Sequence, residues 1–188
     1  MSYSNNYFGR DPNKPMTDQK QQSYAPRSNE TRPTSQQLKD YGPYPLVANM
    51  ERATMINPNF RTALWTGKYL QVTLMSLRPG ENIGLEVHPD TDQFLMVMHG
   101  KAKVMMGKTK DNLNFTADAP PNTAIVVPAN TWHNLTNIGN TPLKLFTIYA
   151  PPEHPFGTVH RTKAEAEEAE KNYKTAQTAS GFIYSLEE

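Results

Sequence analysis

Residues 80–100 read GENIGLEVHPDTDQFLMVMHG, and the fold turns on this stretch. Glu86 and His88 sit two apart, which in an extended strand puts both on one face, with Leu85 and Val87 on the other. Pro89-Asp90-Thr91-Asp92 has the composition of a tight turn. Gln93 opens an apolar run, Gln93-Phe94-Leu95-Met96-Val97-Met98, expected to return as the paired strand of a hairpin. A glycine closes each end. Such a hairpin offers a carboxylate, an imidazole and a carboxamide, all pointing one way.

A fourth donor lies further along. Pro128-Ala129-Asn130-Thr131-Trp132-His133 leads into another strand, ending near Asn137. Together the two stretches resemble the paired motifs of the cupins. The first cupin motif is matched by Gly80, Glu86, His88, Gln93 and Gly100, the second by Asn122, Pro128, Asn130, His133 and Asn137, with every separator intact. Glu86 stands where the family has its first histidine, Gln93 where it has a glutamate, and Asn122 and Asn130 where it has glycines. Asparagine tolerates a left-handed backbone better than most residues, so the last two changes are mild. The resemblance covers roughly residues 60–155. PDTDQF after the histidine and APPEHPFGTVH near the end are similar to small single-domain cupins of the mannose-6-phosphate isomerase type.

The resemblance implies an all-β fold, a double-stranded β-helix or jelly-roll barrel with its site at the open mouth. It implies metal ligation by Glu86, His88, Gln93 and His133, with Glu86 and His88 as the candidate catalytic residues and Glu86 doubling as a proton shuttle. Two imidazoles and two oxygens suit a divalent ion such as Zn, Mn, Fe or Ni and disfavour Cu(I). A competing set is His88, Asp90 and His133, the His-x-Asp…His pattern of iron oxygenases. It is disfavoured because Asp90 follows Pro89 in the turn.

The rest of the chain agrees with a β-barrel. Strands are expected at 61–66, 69–77, 101–106, 113–116, 123–127, 131–137 and 143–149, punctuated by Gly, Pro and Asn turns. No helical pattern separates them, which excludes a parallel α/β sheet. Leu46-Val47 reads as a short edge strand after Pro45; residues 50–55 fit helix or strand equally. Residues 1–42, rich in Ser, Asn, Gln and Pro, are expected to be a disordered tail. The barrel is expected over 43–155. Residues 156–188 hold a loop and an exposed helix from Lys163 to about Gln177, opened by a Thr162–Glu165 capping box.

Composition narrows the function classes. The 188 residues carry a formal net charge of +1, so neither nucleic acid nor an anionic membrane is an expected partner. The chain has no cysteine, which rules out thiol catalysis and zinc–thiolate sites and fits a reducing compartment. The first residues lack an apolar signal core and no apolar run is long enough to span a bilayer, so a cytoplasmic protein is expected. Residues 69–77 and 143–149 are apolar on both faces, from which a homodimer is expected.

Outside the ligand set, His99 and Trp132 read as surface and as core or interface. His154 and His160, in the loop after the barrel, are candidates for the pocket mouth. Lys68, Lys101 and Lys103 are candidates to meet a phosphate, although no glycine-rich phosphate loop is present. Three functions stay open. They are a metal-dependent enzyme acting on a small polar metabolite, best a sugar or sugar phosphate with isomerisation as its reaction; an Fe(II) dioxygenase; and a non-enzymatic binding or structural cupin.

Overall fold

The computed structural model describes residues 38–172. The elements run α1 (Met50–Ile56), β1 (Arg61–Thr66), β2 (Gln71–Leu77), β3 (Asp92–His99), β4 (Ala102–Gly107), β5 (Phe115–Ala119), β6 (Thr123–Val127), β7 (Trp132–Asn137), β8 (Leu143–Ala150) and β9 (Val159–His160), followed by helix α2 over residues 163–172. Six strands form one antiparallel sheet in the order β6-β3-β8-β2-β1-β9, and three form a second, β5-β4-β7. Together they make the jelly-roll barrel of the double-stranded β-helix.

The expected hairpin does not form. β3 pairs with β6 and β8 in the large sheet. The Glu86–His88 segment instead runs along the other edge of β7, through paired bonds between Glu86 and His133 (N···O 3.0 and 2.9 Å) and further bonds from Gly80 and Ile83 to Asn137 and Leu135. The 89–91 connection therefore crosses between sheets. Local sequence favours a turn there, but the partner of each strand is chosen by non-local pairing.

The inward-facing side chains change character along the barrel, and the register stacks them in layers. Leu77 and Leu143 form the closed end; Met75, Leu145 and Val97 lie next; then Thr73, Thr147 and Leu95; then Gln71, Tyr149 and Gln93. The closed end holds the apolar core, continued by Phe60, Val104 and Leu135. The open end holds buried polar groups, which must find partners or ligands.

The outer face of β2 and β8 is covered within the chain. Leu64, Leu74, Val72 and Phe146 pack under α1, whose Ala53 and Met50 meet them, together with Leu38 and Tyr41. The apolar second face behind the homodimer expectation thus has an intramolecular cover. It also moves residues 38–42 out of the expected tail and onto the barrel: Asp40 accepts a bond from Gly157 N at 3.0 Å, and Tyr41 N donates to Leu64 O at 2.9 Å. The remainder of that segment, 1–37, lies outside the described residues, as does the end of the expected C-terminal helix.

Residues 50–56 resolve as helix, with Asn49 as N-cap accepting from Arg52 N at 2.9 Å. Leu46-Val47 is not a strand, and Val47 is fully exposed. The free edge of β1 is taken by β9, a piece of the segment expected as loop. Thr162 caps α2, accepting from Glu165 N at 3.2 Å, and Glu165 Oε2 reaches back to accept from Arg161 N at 2.7 Å, one residue before the N-cap N–H that a capping box would engage. α2 is mostly exposed, as expected, but anchors to the core through Ala166. Among the described residues no helix is long and apolar enough to cross a membrane.

Asn122 and Asn130 adopt φ of 65° and 59°, the left-handed conformation anticipated where the family has glycine. Gly100 is required for space as well as for its φ of 86°: a Cβ there would stand 3.0 Å from Leu143 Cα.

Candidate metal centre

Glu86 and His88 project inward from the irregular edge beside β7, and His133 projects inward from β7 itself. Their donor atoms all lie within 4.8 Å of one another. Glu86 Oε1 is 3.3 Å from His133 Nε2 and 3.7 Å from His88 Nε2. Donors on one ion at about 2.0–2.2 Å stand this far apart when they are neighbours in its coordination sphere. Gln93 enters from β3 in the opposite sheet, so the site is built by both sheets rather than by one hairpin.

The atoms left without partners identify the donors. Glu86 Oε1, His88 Nε2, Gln93 Oε1 and His133 Nε2 are all buried and none has a hydrogen-bond partner. The other polar atom of three of these side chains is committed. His133 Nδ1 faces Thr131 O at 2.9 Å, His88 Nδ1 faces Glu153 Oε1 at 3.0 Å, and Gln93 Nε2 donates to Thr147 Oγ1 at 3.3 Å. Each outer bond leaves the inner lone pair free, as the outer partners of metal-bound histidines do. Orphaned buried polar atoms are costly, and the three clustered on Glu86, His88 and His133 fit a divalent ion as the missing partner.

The charge pattern fits the same reading. Burial opposes ionisation of Glu86, but the His133 and His88 imidazoles beside it and the charge of Arg61 outweigh it and hold the carboxyl well below the usual carboxylate range. Burial also opposes the charged form of His88, yet Glu153 and Glu86 together push it up to about 9. Without an ion, His88 therefore carries a proton between two carboxylates. Tyr149 lies edge-on to His88 and to His154, at 5.7 and 5.1 Å between centroids, and burial pushes its hydroxyl up. Burial and then Arg61 push His154 and His160 down, so both are neutral imidazoles.

A cavity of about 780 Å³ is lined by Glu86 and His88 together with Leu85, Val87, Trp132, Glu153, His154 and His160, and by Glu170 of α2. That size suits a small metabolite. Gln71, fully buried, binds the lining residue His154 twice: Nε2 donates to His154 O at 2.8 Å and Oε1 accepts from His154 N at 3.0 Å. These bonds hold the 152–155 loop, and so Glu153, over the site.

Glu86, His88 and His133 come together, Gln93 is buried on β3 of the other sheet, and His154 and His160 line the pocket. Trp132 lies at its rim rather than in the core. Asp90 is exposed and outside the cluster, which removes the His88–Asp90–His133 set. Asp92 serves the turn, accepting from Ala129 N at 2.8 Å. Tyr69 is exposed, whereas Gln71 and Thr73 are buried. Sequence reading missed Glu153 and Arg61. The signal for Glu153 was its place directly after the last strand and beside His154. For Arg61 it was the one charge on a strand, in phase with Ala63.

A cupin-domain profile matches residues 73–149. YrkC of Bacillus subtilis is 65% identical over 133 residues, spanning 71% of this chain and 72% of YrkC. The crystal structure of BH2720 from Bacillus halodurans superposes with a TM-score of 0.69 at 57% identity, covering 69% of this chain and 98% of that one. A mannose-1-phosphate guanylyltransferase of Salmonella typhimurium, RfbM, is 32% identical over 83 residues, 44% of this chain and 16% of RfbM. The chain belongs to the cupin family.

Proposed function

We propose that this protein is a divalent-metal cupin enzyme acting on a small polar metabolite. The observation that carries the reading is the clustering of three unpartnered donor atoms, on Glu86, His88 and His133, with Glu86 and His88 lining a cavity of metabolite size. An ion held there supplies Lewis acidity to a carbonyl or hydroxyl oxygen. The chain supplies the rest. Glu153 orients His88, Gln71 fixes the loop that carries Glu153, and Leu85, Val87 and Trp132 exclude water from one side of the cavity.

A sugar or sugar phosphate is the substrate class we put first, with aldose–ketose isomerisation as its reaction. The support is the group of polar side chains Glu86, His88, Glu153, His154 and His160 at the cavity and the partial likeness to RfbM, a protein named for mannose 1-phosphate chemistry. A second reading has its own support, because two histidines and one carboxylate are the donor set of non-haem iron oxygenases. Metal analysis of the purified full chain, followed by NMR of a hexose and hexose-phosphate panel and by oxygen uptake with Fe(II), separates them. Metal-dependent aldose–ketose conversion supports isomerisation, and oxygen consumption supports the second reading. A protein that retains no divalent ion overturns both.

A further inference from the structure

Arg61 is 1% exposed, among the most buried side chains of the protein. A guanidinium is always charged, and buried charges are paired in nearly all proteins. Yet Arg61 Nε and Nη1 have no hydrogen-bond partner. Its one ion pair among the described residues is long, 3.7 Å from Nη1 to Oε1 of Glu170, a half-exposed side chain on α2. The face of Phe60 lies 5.6 Å away and cannot satisfy the N–H donors.

Two further orphans sit beside it. Arg61 pairs with His160 in the β1–β9 register, and directly opposed residues project to the same face. His160 Nδ1 and His154 Nε2 are both buried and unpartnered. Both histidines line the cavity, and so does Glu170, the carboxylate that Arg61 contacts. Arg61 makes no ion pair with Glu86, whose nearest cationic or imidazole neighbours are His133 Nε2 at 3.3 Å and His88 Nε2 at 3.7 Å.

We propose that Arg61, with His160 and His154, recognises an anionic group, a carboxylate or a phosphate, on the molecule bound at the barrel mouth, and that Glu170 occupies this position until the anion arrives. The planar fork of the guanidinium matches both anions bidentately. A carboxylate on the flanking helix is a weak placeholder, since its contact is long and half in water. The inference deepens the metabolite-enzyme reading by naming a chemical class of substrate, and it rests on that reading for the role of the cavity.

The test uses the full chain, stripped of metal, in buffer without other small anions. Inorganic phosphate and acetate are titrated in separate arms while the ring resonances of His154 and His160 are followed by NMR. At least one anion is expected to shift both rings saturably, and the tighter arm identifies the group. Arg61→Met should weaken that binding at least tenfold, and Arg61→Lys less. Glu170→Gln should tighten it severalfold by removing the competitor, and this variant stands even if Arg61→Met fails to fold. No saturable shift with either anion, unchanged binding in folded Arg61→Met, or no tightening in Glu170→Gln overturns the proposal. Zinc uptake is measured on the same samples. Loss of zinc uptake with anion binding intact would sink the metal reading alone, and the reverse would sink the anion site alone.

Discussion

Glu153 Oε1 stands 3.0 Å from His88 Nδ1, so a loop residue outside both cupin motifs sets the orientation of a motif ligand. With Nδ1 engaged by a carboxylate, Nε2 is turned to the cluster as the lone-pair donor, and its basicity rises. The loop is held in turn by Gln71 through two backbone bonds.

Glu153→Gln keeps the shape and removes the charge. Zinc affinity, read by calorimetry, should fall about 10- to 100-fold, the usual cost of losing an outer partner of a ligating histidine. The same substitution should lower the His88 pKa in the metal-free protein. Wild-type affinity in this variant would show that Glu153 is only a surface acid.

The His88 shift makes stability depend on pH with a definite sign. Its folded pKa, about 9, lies above the unfolded value of 6.5, so its contribution is complete below 6.5 and disappears as pH rises through 9. Metal-free protein should lose on the order of a few kcal/mol of stability from this group across that window. His88→Asn should flatten that part of the curve, and saturating zinc should do the same, because a ligating imidazole is neutral. Binding zinc at neutral pH should release about one proton, measurable by calorimetry in buffers of different ionisation enthalpy.

Gln93→Glu should act in opposite directions on the two states. An anionic oxygen in place of the orphaned amide oxygen should tighten divalent-ion binding, by roughly tenfold if it gains a charge-assisted contact. Without metal, the new carboxylate is buried near Glu86 and should lower the melting temperature. Parallel calorimetry and thermal melts check both signs; a variant that binds metal no better would remove Gln93 from the ligand set. Asp90→Asn, at an exposed turn position, should change neither measurement.

Asn130 combines a φ of 59° with a bond from its N–H to His88 O at 2.7 Å. Asn130→Gly should be tolerated, whereas Asn130→Val should cost about 1–2 kcal/mol from the left-handed backbone alone. Because that bond fixes the main chain of a ligand, the valine variant should also weaken zinc binding. Equal stability of the two variants in denaturant melts would contradict the backbone account.

Much of this protein was determined by its sequence alone. Turn residues on either side bracketed strands at 61–66 and 123–127 to the residue, because Gly, Pro and Asn punctuate the chain locally. The resemblance of the two motifs to those of the cupins pointed to Glu86, His88, Gln93 and His133, while spacing by itself put only Glu86 and His88 on one face. Tertiary structure decided the rest. Whether the Glu86–His88 segment pairs with β3 or β7 is a choice between sheet edges, and either choice satisfies the same alternation. The cover over β2 and β8 comes from α1 and residues 38–41, whose short apolar stretches have no readable partner. Glu153 and Arg61 joined the site only when β8 ended at its mouth and β9 came to lie on β1. A single charged residue has no period, and its role follows from what the folded chain brings beside it.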